Sequence, residues 1–428
     1  MNTGAQPLIW TPAVANATAR ALCTDCGISR TAEPSFCAQA CQFIAPDYAS
    51  AERRIHGRTR DESRAQELYF GTYLSMHAAE LTNPVPGAQW TGITTRIAQR
   101  LLEENWVDAV IAVAPHPKDQ WRPLPVIVTE PADLLHCSGM RMGYAPTLAM
   151  IEPAIQRGYR RLAVIGIPCQ IYALRELELK LRHEGKIDEL YVIGTPCSDN
   201  TTTENFHLFL SKLTAEPDTV TYLEFCTDFH VELRFKGGET RRIPFLKLPL
   251  SELPDDFFPT TCKTCVDYTN CLADVTVGYM GGDSKQWLIC RNKRGESMLT
   301  LIEHELTLSA PISRGRRASS VKGFIANTRL AAGGLPLRRM PNFMRTVMAW
   351  LMPRVGPRGL EFARARVEMK AAESILHLRN LHPKKMRYMI PAYIWSQVAK
   401  YELTPTENEI APDSTISMSS TSNRQERQ

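Results

Sequence analysis

The chain has 428 residues, of which 44% are hydrophobic and 22% are charged, and its net charge is +5. These values are typical of a soluble globular protein with two or three domains. No apolar run approaches the roughly 20 residues that span a bilayer, and no secretory leader is recognised. The sequence therefore predicts a cytoplasmic protein without a transmembrane segment.

The first region, residues 1–60, is rich in cysteine and in loop-forming residues. The chain has twelve cysteines, and in a reducing compartment such a number indicates metal binding or redox chemistry more than disulfide bonds. Four of them lie close together in this region, as Cys23, Cys26, Cys37 and Cys41. Thiolates select zinc or iron–sulfur, so the spacing leaves a structural zinc knuckle open as an alternative.

Residues 61–310 predict an α/β domain, because apolar strand-like runs alternate with segments of helical periodicity. The predicted strands are Ala109–Ala114, Pro125–Val128, Leu162–Gly166, Leu190–Gly194 and Val275–Tyr279. The predicted helices are Thr91–Asn105, Leu148–Arg157, Gln170–Glu184 and Thr203–Leu213. Residues Val220–Phe235, followed by Gly237-Gly238, predict a hairpin. The expected fold is a largely parallel sheet core with an N-terminal iron–sulfur segment and a helical C-terminal region.

Two of the predicted strands end in the same Gly-x-Pro-Cys motif, which delivers Cys169 and Cys197. Parallel strands have their carboxyl ends at one sheet edge, where ligands bind in open α/β folds. With Cys262 and Cys265, these residues form a second set of four thiolates. Two such sets favour two redox clusters in an electron path over local zinc knuckles. The remaining cysteines are interpreted as small buried hydrophobic residues, with Cys271 kept as an alternative ligand: Cys137, Cys226, Cys271 and Cys290.

Two glycine-containing segments could approach a cofactor closely. The segment Gly87–Thr95 has glycines, hydroxyls and an amide just before a predicted helix, whose N-terminus favours anionic groups. Residues Asp274–Gly282 have three glycines after a strand, although a plain β-turn explains them equally well. No Gly-x-Gly-x-x-Gly sequence occurs, which argues against a nicotinamide cofactor bound in the usual way.

The C-terminal region, residues 311–403, is predicted to be basic and mostly helical. Residues 311–400 contain eighteen lysines and arginines against three glutamates. This charge favours an acidic protein or an anionic surface, with a simple solvated face as the alternative. Nucleic acid is the weakest candidate, because no recognised binding motif accompanies the charge, and it is not predicted as a partner. A linker is predicted over Gly333–Pro341 and a disordered tail over residues 404–428.

Several motifs together resemble a known family. The run Cys262–Gly281 resembles the cluster-binding signature of the beta-subunit family of deazaflavin-dependent hydrogenases and dehydrogenases. Within this family the chain is most similar to the chlorophyll-biosynthesis branch, which includes divinyl (proto)chlorophyllide 8-vinyl reductases and 7-hydroxymethyl chlorophyll a reductases. The supporting runs are His56–Arg58, Pro86–Ile93, Gly194–Asn200 and Val355–Ala363.

The resemblance implies FAD, two 4Fe–4S clusters and reduced ferredoxin as the electron donor. One cluster would be held by Cys23, Cys26, Cys37 and Cys41, and the other by Cys169, Cys197, Cys262 and Cys265. The implied flavin contacts are Gly87, Gln89, Trp90, Thr91, Gly92, Thr94, Asn200, Gly278, Met280 and Gly281.

The implied reaction is reduction of the 8-vinyl group of a divinyl (proto)chlorophyllide to ethyl in (bacterio)chlorophyll biosynthesis. Electrons would pass through the clusters to FAD and then as hydride to the vinyl group. The alternatives are a 7-hydroxymethyl chlorophyll a reductase and the electron-transfer subunit of a larger hydrogenase or dehydrogenase. The sequence does not identify the proton donor, for which His56, Asp267 and Tyr268 are candidates. It also leaves peripheral membrane contact and a homo-oligomer open.

Overall fold

The computed structural model describes residues 22–226, 228–279, 281, 285–330 and 341–410, together with the strand Leu8–Ile9. The strands are β1 (Leu8–Ile9), β2 (Ser75–Leu81), β3 (Ala109–His116), β4 (Asp119–Val128), β5 (Arg161–Gly166), β6 (Glu189–Gly194), β7 (Val220–Phe225), β8 (His230–Phe235), β9 (Thr240–Pro244), β10 (Val275–Gly278), β11 (Gln286–Cys290), β12 (Leu306–Ser309), β13 (Ser313–Arg314) and β14 (Arg358–Gly359). The helices are α1 (Cys37–Ala40), α2 (Tyr48–His56), α3 (Ala65–Phe70), α4 (Ile93–Glu103), α5 (Ile151–Gln156), α6 (Pro168–His183), α7 (Thr203–Leu213), α8 (Thr260–Lys263), α9 (Lys293–Ile302), α10 (Ala318–Leu330), α11 (Asn342–Val355), α12 (Leu360–Leu381), α13 (Met386–Met389) and α14 (Ala392–Val398).

A nine-stranded mixed sheet forms the core, in the order β1-β4-β3-β5-β6-β10-β11-β2-β12. Its central strands β3, β5, β6 and β10 are parallel, and antiparallel strands extend it on both sides. The central strands are runs of Val, Ile, Leu and Ala that are buried on both faces, as expected where helices cover a parallel sheet. The predicted α/β fold with a parallel sheet core is confirmed.

The predicted strands and helices of the core agree closely with the structure. Most of their ends lie within two residues of the predicted ones. The helix predicted over Leu148–Arg157 is shorter, because residues Thr147–Met150 form a 3₁₀ turn before α5, and the strand predicted over Pro125–Val128 is the last part of the longer β4. The antiparallel strands β1, β2, β11 and β12 of this sheet were not predicted.

The predicted hairpin at Val220–Phe235 is part of a larger unit, a separate three-stranded antiparallel sheet of β7, β8 and β9. Strands β7 and β8 do pair. The Gly237-Gly238 turn, however, connects β8 to β9, and Gly238 has the positive φ (+84°) that suits glycine. The predicted hairpin and its glycine turn are therefore confirmed, whereas strand β9 was not predicted, because it is short and polar and gives little apolar signal.

The C-terminal region is helical, as predicted, over most of residues 342–401. The predicted linker falls mainly on residues 331–340, which lie outside the described residues, as do residues 411–428. Residues 404–410 include a 3₁₀ turn, and Arg379 of α12 binds Glu409 there at 2.7 Å. Across the described ranges, no helix combines the length and apolar character needed to cross a bilayer.

A buried charge network fastens α6 to the sheet. The Asp274 carboxylate lies 2.7 Å from the Arg175 guanidinium of α6 and accepts the Val192 amide of β6 at 2.8 Å. The Arg175 side chain also binds Glu178 and the Leu272 carbonyl. Both Arg175 and Asp274 are fully buried, so each charge depends on the other for compensation.

We expect Asp274→Ala to lower the free energy of unfolding by about 3–5 kcal/mol, because it removes one of the two carboxylates that compensate the buried Arg175 charge and the acceptor of the Val192 amide. The matched control is Asp188→Ala, which removes the exposed partner of Arg160 and should leave stability nearly unchanged. Urea unfolding followed by circular dichroism measures both variants. Equal unfolding midpoints for the two variants would contradict a structural role for the network.

Candidate functional site

The two Gly-x-Pro-Cys motifs lie side by side at the carboxyl edge of the parallel strands. In the register of β5 and β6, Gly166 pairs with Gly194, so both strands end at the same level. Cys169 lies in the first turn of α6, which begins at Pro168 after an extended residue. Cys197 follows β6 in an extended segment and donates its amide to the Tyr268 carbonyl at 3.0 Å.

One side chain connects the ends of the two strands. The Asn270 amide nitrogen donates to the Gly166 carbonyl at 2.8 Å and to the Thr195 carbonyl at 3.3 Å. A Cβ on Gly194 would meet Asn270 at 2.7 Å, so glycine is required for this close approach. The loop that contains Cys262 and Cys265 is thereby held against both strand ends.

A small cavity of about 30 Å³ is lined by all four cysteines of the second set, Cys169, Cys197, Cys262 and Cys265. Burial raises the pKa of each thiol, to about 12 for Cys262 and to about 11 for Cys265. Repulsion from the neighbouring thiolates of the set raises the pKa of Cys169 and Cys197 further. Four buried thiolates repel one another, and bound metal ions stabilise them by neutralising their negative charge.

A fixed positive charge lies beside this cavity. Lys370 of α12 is buried, and its Nζ lies 2.8 Å from Asp199 and 2.9 Å from Glu373. Burial alone would lower the pKa of Lys370, but the two carboxylates raise it above its usual value, and thiolates at Cys262 and Cys265 raise it further. The ammonium group therefore stays charged and attracts negative charge in the cavity.

The N-terminal cysteines also form one group. The pKa of Cys26 is raised by burial and then by repulsion from Cys37, Cys41 and Cys23. The Asp25 amide donates to the Cys23 sulfur at 3.4 Å. Cys23 is exposed at the surface, whereas the other three are half-buried.

The two sets of cysteines are neighbours in space. The Gln42 side chain, next to Cys41 in sequence, donates to the Cys265 sulfur at 3.5 Å. Thr24, next to Cys23, lines the small cavity and hydrogen-bonds the Cys169 thiol. Residues next to cysteines of the N-terminal set thus contact thiols of the second set.

Within the described ranges, no three His, Cys, Asp or Glu side chains are grouped tightly enough to hold one metal ion. A 4Fe–4S cluster makes a different demand, because each of its four cysteines binds a separate iron. Each set consists of four cysteines, which is the ligand type and number that such a cluster takes. The donor chemistry of both sets therefore fits a cluster.

Other candidates from the sequence lie elsewhere. Cys271 is buried against Gly71 and does not line the small cavity; its amide donates to Asp267 at 3.0 Å. His56 is half-buried with its Nε2 2.9 Å from the Cys271 carbonyl, and loss of solvent around the ring lowers the pKa of this histidine to about 3. Cys290 is buried within β11. Cys137 and Cys226 are half-buried, and both line the large cavity described next.

A large cavity of about 790 Å³ lies at the carboxyl edge of the strands, enclosed by the sheet, the three-stranded sheet and the C-terminal helices. Cys197 and Asn200 line both cavities. Of the predicted flavin contacts, those that line the large cavity are Gln89, Trp90, Gly92, Thr94, Asn200 and Gly278. Those that do not line it are Gly87, Thr91 and Gly281. Met280 lies outside the described residues.

Two of the predicted flavin contacts that do not line the large cavity make contacts within the fold instead. The Thr91 hydroxyl binds Gln286 at 3.0 Å and accepts the Leu81 amide at 3.1 Å. A Cβ on Gly281 would meet the Phe362 ring at 2.6 Å, so this glycine makes room for a side chain of α12.

The sequence did not single out an aromatic wall in the large cavity. Trp90 contacts Tyr279 with ring centroids 5.1 Å apart, and Tyr279 contacts Phe362 at the same distance. Phe229 contacts Phe362 from the other side at 5.8 Å. Phe362 belongs to the Val355–Ala363 motif, and this motif was the one sequence feature that could have pointed to the aromatic wall. Such a wall suits a large, flat, conjugated molecule.

Two arginines add positive charge to this cavity. Arg141 is anchored to backbone carbonyls, and its buried Nε has no hydrogen-bond partner among the described residues. Arg366 of α12 binds the Ser198 hydroxyl beside Cys197, and hydrogen-bonds Tyr268. An anionic group would satisfy the open Arg141 donor.

Comparison with known proteins identifies the family. Two models of the coenzyme F420 hydrogenase/dehydrogenase beta subunit match the chain, the N-terminal model over residues 76–152 and the C-terminal model over residues 159–313. The chain is 35% identical to an uncharacterised protein of Nostoc sp. over 90% of its own length and 94% of the relative's. It is also 35% identical to the rice (Oryza sativa subsp. japonica) protein named 7-hydroxymethyl chlorophyll a reductase, chloroplastic, over 89% of this chain and 82% of that protein.

Among solved structures, the fold is similar to a chain of the F420-reducing [NiFe] hydrogenase complex from Methanosarcina barkeri. The TM-score is 0.50 at 22% identity, and the match covers 56% of this chain and 84% of the other. The similarity to the rice reductase over most of both chains supports the chlorophyll-biosynthesis branch. The chain belongs to the coenzyme F420 hydrogenase/dehydrogenase beta-subunit family.

Proposed function

We propose that this protein is a ferredoxin-dependent reductase that converts the 8-vinyl group of a divinyl (proto)chlorophyllide to ethyl. The observation that carries the proposal is the continuity of two cysteine sets with a large aromatic-lined cavity, which Cys197 shares with the small cavity. Reduction of a vinyl group consumes two electrons and two protons, so the enzyme needs an electron path, a two-electron carrier and room for the macrocycle.

The proposed prosthetic groups are two 4Fe–4S clusters and FAD. Each set of four cysteines would hold one cluster. The residues Gln89, Trp90, Thr94, Asn200 and Arg141 would hold the flavin, with Arg141 supplying a charged donor for its pyrophosphate. These groups would supply one-electron transfer at the clusters and two-electron transfer at the flavin.

The side chains of the protein bind, orient and protonate in this proposal. The aromatic wall of Trp90, Tyr279 and Phe362 would orient the flat macrocycle. Of the three candidate proton donors, Tyr268 lines the large cavity, whereas Asp267 lines the small one and His56 lines neither. Tyr268 is therefore the proposed proton donor, with Arg366 as its hydrogen-bond partner. The exposed Cys23 suggests that ferredoxin delivers electrons to the N-terminal set.

A second candidate function is favoured by one comparison. The rice relative, 35% identical over 89% of this chain, is named for reduction of 7-hydroxymethyl chlorophyll a. That reaction also consumes two electrons and two protons and acts on the same kind of macrocycle, so the same two cavities would suit either substrate.

A direct assay separates the two functions. We expect the purified protein, supplied anaerobically with reduced ferredoxin, to convert 3,8-divinyl chlorophyllide to the ethyl product, which shifts the Soret band to shorter wavelength because conjugation is lost. The matched assay uses 7-hydroxymethyl chlorophyll a, and pigment products are separated by chromatography. Turnover of the hydroxymethyl substrate alone would replace the primary proposal with the second candidate.

A cysteine substitution tests the assignment of the second set. We expect Cys197→Ala to lose roughly half of the bound iron and acid-labile sulfide, because one of two clusters lacks a ligand. The control, Cys290→Ala, changes a buried cysteine of β11 outside both cavities and should keep full iron content. Iron analysis and electron paramagnetic resonance of the reduced proteins measure the effect. Zinc instead of iron in the wild-type protein would contradict the cluster assignment.

A further inference from the structure

The mouth of the large cavity lies between two helices. Among the described residues that line this cavity, the exposed ones are Ser319 and Gly323 of α10 and Met348 of α11. All the other described lining residues are half-buried or buried. Among the described residues, the exposed part of the cavity lining thus lies on α10 and α11.

The outer face of α11 is unusually apolar. Phe343 is 72% exposed, Val347 57% and Trp350 61%, and Met344 is also exposed. None of these four side chains lines the cavity. An exposed group of large apolar side chains on one helix marks an interaction surface.

The same part of the chain is strongly basic. Between Glu305 and Glu361 the sequence has ten lysines and arginines and no acidic residue. Lys322 and Arg329 of α10 and Arg354 of α11 are exposed, and the Arg354 guanidinium lies 4.2 Å from the Trp350 ring centroid. Basic residues beside exposed aromatic and aliphatic ones are typical of helices that lie in the surface of an anionic membrane.

The position of α11 is fixed from its inner side. The buried Arg345 guanidinium donates to the Leu246 carbonyl at 2.9 Å and also to that of Leu248. Met348 and Met352 of the same helix line the cavity. The helix thus has one face on the protein and another, apolar face directed outward at the mouth.

We propose that α11 docks on the surface of an anionic lipid bilayer and opens the large cavity to it. This inference rests on the proposed function, because a lipophilic macrocycle would pass between bilayer and cavity without crossing water. An acidic protein such as ferredoxin would be attracted by the charges but would leave the large apolar side chains unexplained, so the observations favour a membrane.

Vesicle binding tests the proposal independently of turnover. We expect the holoenzyme to float with vesicles of equal parts phosphatidylcholine and phosphatidylglycerol, and to bind much less to phosphatidylcholine alone or at high salt. The double variant Phe343→Ser/Trp350→Ser should lower the partition coefficient by about ten-fold or more. The matched control Leu179→Ser/Leu208→Ser, which changes exposed leucines of α6 and α7, should bind like the wild type.

Several outcomes would overturn the docking surface. These are no binding by the wild type, unchanged binding by the α11 double variant, and a lipid-free dimer that this variant dissociates, which would assign the face to a second copy. Selective loss of ferredoxin affinity in the double variant, with vesicle binding intact, would assign the face to ferredoxin. Vesicle binding without turnover of either pigment would support the docking surface and overturn the proposed function instead.

Discussion

The arrangement of the site depends on the hydrogen bonds that join the loop before β10 to the ends of β5 and β6. Asn270 bonds to the carbonyls of Gly166 and Thr195, each of which shortly precedes a cysteine of the second set. Asp274 then fixes the end of the same loop to β6 and, through Arg175, to α6. Because Cys169 lies in the first turn of α6, Cys197 follows β6 and the loop contains Cys262 and Cys265, these few contacts position the segments that carry the four cysteines of the small cavity.

The N-terminal segment packs against the region that these hydrogen bonds hold in place. The Leu148 amide donates to the Cys26 carbonyl at 2.9 Å, and Gly27 packs so closely that a Cβ would meet the Ala149 nitrogen at 2.4 Å. Gln42 and Thr24 then reach thiols of the second set. Hydrogen bonds to cluster sulfurs tune reduction potentials, so these two residues would couple the properties of neighbouring clusters in the proposed enzyme.

The sequence predicted the parallel core well, because buried strands leave strong local signals. The repeated Gly-x-Pro-Cys motifs also indicated that Cys169 and Cys197 follow neighbouring strands at one edge of the sheet; their role as cluster ligands stays a prediction. Of the segment Gly87–Thr95, which the sequence singled out, Gln89, Trp90, Gly92 and Thr94 line the large cavity. It missed the wall formed by Tyr279, Phe229 and Phe362, since these rings come from distant segments and meet only in the folded chain. The contacts of Arg366 with Ser198 and of Lys370 with Asp199 could not be predicted from the sequence for the same reason.

Helix α12 shows where substrate selection would arise. Its residues Phe362, Arg366, Met369 and Glu373 recur at helical spacing on one face and line the large cavity. The matched family models end at residue 313, so this face, like α10 and α11, lies beyond the part of the chain that those models cover. The cysteines of the second set lie within the covered part. In the proposed enzyme, the part that the family models cover would therefore supply the second cluster and most of the aromatic wall. The N-terminal cysteine set precedes that part, and Phe362, the polar face of α12 and the entrance at α10 and α11 follow it.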